Sequence, residues 1–532
     1  MKKTSKRTLT ALMAAMILAT TSVAAAVPVF AAETQAVSSE QQTASVAIDE
    51  KNFPDERFRQ FVKTQFDTDG DGVFSAEEIA KVKGFSIQYD KESGIKAETF
   101  SAWDYSDKND RDSYDGITMD FTGLEHFSSL TYLGIKNIEA SNLNLEKFPN
   151  LELINFAAMP KTAFDFTNCE ALQEIGIMNT PLEYLRVNKA NLTYLLAPNC
   201  QLKEIDLSQG TWLYDIILCD NQLTDIKLPK GNMSGEFWNF ANNQLTNLDL
   251  SETFPEMINI SGNPFTEINS ETLKADGAVV SGMNATNLAQ CRSFDVSHMA
   301  GLERLSAGPR LAESIKIRNQ LRELFLYDLD HISVIDKTTI QAPADNMLEW
   351  LEVNDCTLTK LSTSQFSNLH TLRATGNQLQ HLNISGNTEL VNLSLWDNKS
   401  GGNKELTTMI ANRSIGKSCV AELQKVAKQT GGKITYIPEK ITGLKAIKKT
   451  KTTLKLTFNA VSGASGYKIY DAATGKVLAN VSTQKGAKKL TKTITGLKAG
   501  EQRKYKVRGY VTVNGTKHYG AYSNIYTKST AN

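Results

Sequence analysis

Catalytic signatures are missing from this chain. Its six histidines, His126, His298, His331, His370, His381 and His518, fall in unrelated settings, and no HExxH, GxSxG or Walker-type loop is present. Zinc-assisted hydrolysis, nucleophile-elbow acyl transfer and P-loop phosphoryl transfer therefore have no residues to run on, and no enzyme is expected. His370 and His381 can approach one another across a repeat, but both are expected on a solvent-facing surface. The six cysteines show no CxxC spacing and no paired framework, which removes a zinc knuckle or a disulfide scaffold. They are expected to be buried, unpaired structural residues. Excess charge is also absent, with 58 basic and 58 acidic residues. After the N-terminal segment no apolar run is long enough to span a bilayer.

That N-terminal segment carries Lys2, Lys3, Lys6 and Arg7, then an apolar stretch from Leu9 to Phe30, then Ala31 and Ala32. Charged, apolar and small residues in that order form a secretory signal peptide, here residues 1–32, with cleavage after Ala31 or Ala32. Thr20, Thr21, Ser22 and Pro28 dilute it as a membrane anchor. Residues 33–48 are polar and low in complexity, as a disordered linker would be.

A spacing then recurs through residues 117–400: apolar, two free positions, apolar, one free, apolar, two free, Asn or Cys, one free, apolar. It is clearest at Leu192-Leu195-Ala197-Cys200-Leu202, Leu213-Ile216-Leu218-Asn221-Leu223, Leu348-Leu351-Val353-Cys356-Leu358 and Leu369-Leu372-Ala374-Asn377-Leu379. The register-to-register separation is about 21 residues, at the short end of leucine-rich repeats. Such units cannot bury their apolar edges singly, so they stack around one core and present a long concave strand face. Second apolar triplets, such as Leu202-Ile205-Leu207 and Leu379-Leu382-Ile384, predict extended or turn-like backs rather than helices. The register degrades over about 270–345, which is expected to be a degenerate insert. Residues 401–437, with a helix from Cys419 to Thr430, would cap the open end.

Before the repeats, residues 49–116 read as a helical cap. A helix is expected over Asn52–Gln65 and a second from Ser75 through Val82, followed by an irregular surface segment over about 86–115. Between the helices runs Asp67-Thr68-Asp69-Gly70-Asp71-Gly72-Val73-Phe74-Ser75-Ala76-Glu77-Glu78, which fills every ligand position of an EF-hand loop. Ca²⁺ takes six to eight oxygens. The loop offers side-chain oxygens from Asp67, Asp69 and Asp71, the carbonyl of Val73, a direct or water-mediated contact at Ser75 and a bidentate carboxylate from Glu78. Gly72 permits the bend, and Phe74 points inward. Signalling EF-hands work in pairs, so a lone loop suits a structural ion.

Residues 438–532 change texture to short strand-like alternations separated by turns, the pattern of a small β-sandwich. The stretches Gly463–Tyr470, Gly496–Gly500 and Tyr505–Tyr510 resemble a fibronectin type III domain, with two departures: Phe458 stands where that family has Trp, and Arg503 where it has a corner Tyr. This region is strongly basic, whereas carboxylates outnumber bases roughly two to one over 49–125. A basic domain on an exported protein can hold an anionic cell-wall polymer; the blander and commoner alternative is a lysine-rich solvated face.

Taken together the chain resembles the secreted leucine-rich-repeat surface proteins of Gram-positive bacteria, the internalin-like and BspA-like adhesins. Asn52-Phe53-Pro54-Asp55-Glu56-Arg57-Phe58 followed by the calcium loop is a typical opening of that group. The resemblance implies an α+β multidomain chain: a leucine-rich-repeat solenoid, an N-terminal EF-hand cap and a C-terminal immunoglobulin-like β-sandwich. It implies binding of a protein or glycan on the concave face, with a non-adhesive surface component as the alternative. No sortase signal is seen at Thr527–Asn532, so secretion or non-covalent retention at the surface is expected, with no nucleic-acid partner. Strand residues outside the apolar ladder would face the ligand. The candidate contacts are Tyr132, Tyr194, Phe237, Phe325, Tyr327, Trp350, Arg373 and Trp396, residue types that interaction hot spots favour.

Overall fold

The computed structural model describes residues 45–100, 114–187, 191–208, 210, 213–231, 235–397 and 401–531. The signal peptide, residues 33–44 of the expected linker and the aspartate-rich stretch around Tyr105 lie outside them.

One strand per turn enters a fifteen-stranded sheet that runs from Gly84–Asp90 to Asn392–Ser394. All neighbours in it are parallel except the hairpin strand Gly94–Lys96 at one edge. Side chains alternate across a strand, so the apolar ladder falls on the inner side: Leu133 and Ile135 are fully buried while Tyr132 and Lys136 are not. One register row passes through Tyr132, Leu153, Glu174, Tyr194, Asp215 and Phe237. It continues through Met257, Gly282, Arg304, Glu323, Trp350, Thr371 and Asn392. The backs of the turns form smaller parallel sheets, including a five-stranded one from Val334–Ile335 to Lys433–Tyr436. A single apolar core runs through the stacked turns, from Phe53 to Val426. Each fully buried Leu or Ile in it contributes about 1.5–3 kcal/mol through loss of water contact.

The Asn/Cys position is a hydrogen-bond ladder. Asn221 is buried; its Oδ1 accepts from the Cys200 and Leu202 amides at 2.9 and 3.0 Å, and its Nδ2 donates to the Ala197, Leu218 and Cys219 carbonyls. Asn243, Asn263, Asn377 and Asn403 repeat the arrangement. Cys200 and Cys356 fill it with thiols that donate to Ile177 and Leu326 carbonyls at 3.3 Å. The residue just before the ladder position is left-handed at Asn199, Asp220, Asn242 and Asp355, and at the glycines Gly262 and Gly376. Asn, Asp and Gly tolerate that conformation best. All six cysteines are buried, and none forms a disulfide.

Helix α1, Glu56–Phe66, starts on Asp55, whose side chain accepts from the Arg57 and Phe58 amides; α2, Ala76–Lys81, starts on Ser75. Phe58, Phe61, Phe74, Phe85 and Phe127 pack together beneath them, with Phe74 and Phe127 ring centroids 4.9 Å apart. Helix α3, Lys417–Thr430, closes the other end, and the Glu422 carboxylate accepts from the Leu395 and Trp396 amides at 3.0 Å. Residues 445–529 form a three-stranded and a five-stranded antiparallel sheet around a separate core that includes Phe458, Tyr467 and Tyr505.

Three expectations need correction. The linker does not extend to residue 48: Val46–Ala47 is a strand paired antiparallel to Val73–Phe74, and Val46 and Ile48 pack against the core. Residues 86–115 are not irregular throughout, because Gly84–Asp90 joins the long sheet beside Tyr132–Lys136 and buries Phe85 and Ile87. Residues 270–345 are not an insert either. Their strands Gly282–Leu288, Arg304–Pro309 and Glu323–Leu326 continue the sheet, and the turns differ only in length, as Met257 to Gly282 and Glu323 to Trp350 show.

Candidate functional site

Two places carry chemistry, the acidic loop at the N-terminal end and the outward face of the long sheet. In the loop, Gly70 and Gly72 take left-handed φ values of 73° and 81°, which turns the chain so that carboxylate oxygens of Asp67, Asp69 and Asp71 lie within 4.8 Å of one another. Asp67 Oδ2 accepts from the Gly72 amide at 3.0 Å, and Asp71 Oδ1 from the Val73 amide at 2.7 Å. The other oxygen of Asp67, Oδ1, is buried with no hydrogen-bond partner. A buried carboxylate oxygen left unpaired is costly, and a hard cation is the partner that relieves it, so the donor set fits Ca²⁺.

Glu78 and Ser75 are not gathered with the three aspartates. Glu78 Oε1 accepts from the amide and hydroxyl of Thr68, and Oε2 from the amide and hydroxyl of Ser75, in a reciprocal cap on α2. Burial pushes the Glu78 pKa up, but these donors outweigh it and hold it down to about 2. Val73 lies in the short strand beside Ala47.

On the sheet face the structure separates the candidate contacts into groups. Tyr132 lies along the first strands: its hydroxyl meets Ser86 Oγ at 2.5 Å, and its ring occupies the space a Cβ on Gly84 would need. Trp396 lies against Gly402 in the hairpin before α3. These two are packing residues as much as surface ones. Tyr194 and Phe237 flank Asp215 in the middle of the row, and Tyr194 is joined by Tyr214, 42% exposed, at 6.1 Å between centroids. Sequence alternation missed Tyr214 because it precedes its strand.

The largest grouping spans the strands Glu323–Leu326, Trp350–Glu352 and Thr371–Arg373. Phe325 and Trp350 ring centroids are 6.1 Å apart, and the Arg373 guanidinium sits 5.3 Å over Trp350. Glu352, 3.9 Å from Arg373, also accepts from Asn354 at 2.7 Å. Tyr327 follows Phe325 on the same face; burial, then the nearby Glu352 charge, pushes its pKa up to about 12. The Tyr327 hydroxyl and the Trp350 indole nitrogen are buried without hydrogen-bond partners. Cys200 and Cys356 are poor nucleophiles, since burial pushes both thiols up to about 12.

Asp215 gives a pH-dependent prediction. Its Oδ1 accepts from the Phe237 amide at 2.8 Å, yet burial, aided by the Glu236 charge, raises its pKa to about 6. The protonated form is therefore favoured on folding. That contribution is full below the unfolded value near 3.8 and is lost as pH rises through about 6. Asp215→Asn mimics the protonated form, so it should leave stability near pH 4 unchanged and raise it near pH 8. Allowing for partial solvent screening, the gain is about 1–2 kcal/mol, measured by urea unfolding at the two pH values. Equal effects at both would refute the shift.

The fold is that of a leucine-rich-repeat-like solenoid. No family model and no curated protein matches the chain. Among solved structures, the functional domain of InlJ from Listeria monocytogenes, described as including a cysteine ladder, is 17% identical; the match covers 91% of this chain and 98% of that one with a TM-score of 0.41. A structure described as an FN3tt mutant is 24% identical over 18% of this chain and 96% of its own, at a TM-score of 0.14. A TLR13–ssRNA13 complex is 14% identical over 56% of this chain and 55% of that one, at 0.24. No described helix is long and apolar enough to cross a membrane.

Proposed function

We propose that this is an exported binding protein without catalytic activity, which holds a protein or glycan ligand against the open face of its long sheet. Calcium in the 67–78 loop is its structural ion. The C-terminal sandwich, which resembles a fibronectin type III domain, is a spacer or retention module that leaves the chain secreted or non-covalently held at the surface. The observation that carries this reading is the Phe325–Trp350–Arg373 cluster with Tyr327 beside it. Trp, Tyr and Arg are the residue types that dominate binding energy at interfaces. Rings that contribute large contact area at low entropic cost suit either a protein edge or the apolar face of a sugar.

The test is a screen of the full chain against arrayed extracellular proteins and glycans, repeated with Phe325→Ala/Trp350→Ala. Loss of an anchoring aromatic pair should weaken the hit by about 2 kcal/mol or more, roughly thirtyfold. Tyr132→Phe should change it less than threefold. A hit unaffected by the double substitution sinks the site, and no hit at all favours an architectural surface component.

A further inference from the structure

The charge of residues 438–532 is lopsided: nineteen Lys and Arg against Glu439, Asp471 and Glu501. All three acids are committed. Glu439 lies 3.8 Å from Arg413, Glu501 pairs with Arg503, and Asp471 accepts from the Ala473 and Thr474 amides in a turn. Nothing in the domain is left to neutralise its remaining cations.

Several of those cations are ordered on one surface. The strands Gly466–Asp471, Gln502–Val513 and Thr516–Tyr519 turn Tyr467, Ile469, Tyr505 and Val507 into the core, so the alternate residues face outward. Register places Lys468 beside Arg508 and Tyr470 beside Lys506. The Arg508 guanidinium is 4.0 Å from the Tyr519 ring centroid, 4.5 Å from Tyr522 and 5.1 Å from Tyr470, and its Nε donates to the Tyr470 hydroxyl at 3.0 Å. Lys506 sits 4.2 Å over Tyr522, and Lys517 4.6 Å over Tyr510. None of Lys468, Lys506, Arg508 and Lys517 has a carboxylate within ion-pair distance among the described residues.

We infer that this face binds a linear polyphosphodiester that carries no bases, of the poly(glycerol phosphate) kind. Four unneutralised cations on adjacent strands form a track rather than a pocket, which suits a polymer over a small anion. Lys506 and Arg508 are two residues apart on one strand, about 7 Å, and Lys468 stands across from Arg508 at about 5 Å. Tyrosine rings hold the cations in place, so less side-chain freedom is lost when phosphates arrive. The planar guanidinium of Arg508 suits phosphate geometry. A single-stranded nucleic acid would add base stacking on open aromatic faces, but here those rings carry cations. A membrane surface would call for aliphatic wedges, and the two central strands present none outward.

Binding of synthetic poly(glycerol phosphate) to the full chain is measured by calorimetry from low to physiological salt, with folding of each variant checked by thermal melting. The triple variant Lys506→Gln/Arg508→Gln/Lys517→Gln should lose at least tenfold in affinity. Its slope of log K against log salt should flatten by about 2, three lost phosphate contacts at about 0.7 each. Lys485→Gln/Lys488→Gln/Lys489→Gln removes equal charge outside this face and should lose less than threefold. If removing clamped Arg508 unfolds the sandwich, the double variant Lys506→Gln/Lys517→Gln must still show the larger loss. Equal losses in the two sets would make the domain a diffusely charged surface and overturn the proposal, as would no binding of the polymer. Single-stranded DNA of matched charge binding tenfold more tightly would overturn the ligand class.

Discussion

Asn221→Ala is expected to lower the unfolding free energy of the solenoid by about 3–5 kcal/mol, the largest single-residue effect among the sites considered. The cost does not come from lost volume. One carboxamide serves five main-chain groups, the Cys200 and Leu202 amides and the Ala197, Leu218 and Cys219 carbonyls. The Leu218 carbonyl keeps Asn243 Nδ2 at 2.9 Å and the Cys219 carbonyl keeps the Asn199 amide at 3.1 Å, so the Cys200 and Leu202 amides and the Ala197 carbonyl are the buried groups stranded once the side chain is gone. Asn221→Asp should be no better, because a carboxylate accepts the two amides but faces three carbonyls. Cys200→Ala removes only a thiol bridging the Ile177 and Pro198 carbonyls and should cost about 1 kcal/mol. Urea unfolding of the three variants checks the ranking. Because each turn contacts only its neighbours, Asn221→Ala should also broaden the transition. A loss under 1 kcal/mol would show that solvent reaches the turn and replaces the amide.

That ladder shows how far the sequence could be read. Fixed apolar spacing near 21 residues identified the strands, and the alternate positions proved to share one register row because strand alternation is geometrically rigid. Met257, Gly282 and Arg304 belong to the same row but were not seen, since the turns around them vary in length while the sheet absorbs the variation on its back. Gly84–Asp90 was hidden for a related reason. Its partner strand begins at Tyr132, a long way on in sequence, and only Phe85 and Ile87 mark it as apolar.

At the candidate sites residue identity was legible and packing was not. Tyr132 stands at the same pattern position as Tyr194 and Trp350, and Trp396 four residues beyond Asn392, the member of that row in its own turn. Only the glycines opposite them, Gly84 and Gly402, decide that their rings lie down on neighbours. Conversely, Arg373 over Trp350 and the unpaired Tyr327 hydroxyl depend on three strands from separate turns. The strand Val46–Ala47 was unreadable because two residues carry no periodicity; its place comes from the free edge of Val73–Phe74.

The loop 67–78 sharpens the ambiguity into the second large prediction. Ser75 and Glu78 satisfy two signatures at once, calcium ligation and a capping box, and the Glu78 carboxylate accepts four donors, two from Ser75 and two from Thr68. Calcium binding would require that carboxylate to exchange those donors for the ion beside Asp67, Asp69 and Asp71. Glu78→Gln removes the bidentate anionic ligand, while its single carboxamide oxygen can still serve the Ser75 pair or the Thr68 pair of donors but not both. The expected result is calcium affinity weakened roughly a hundredfold and also a lower melting temperature in chelator, because the carboxamide nitrogen cannot accept the second pair of donors that Glu78 holds. Glu77→Gln, an exposed neighbour paired with Lys81 at 2.7 Å, should leave calcium affinity unchanged. For the native chain, calcium at a hundred times its dissociation constant should add about 2.7 kcal/mol to stability, removable by chelation. Calorimetric titration with Ca²⁺ and melting with and without chelator decide the matter. Unaltered affinity in Glu78→Gln would leave the three aspartates as the whole site and Glu78 as a cap alone, and a native chain indifferent to calcium would remove the ion from the fold altogether.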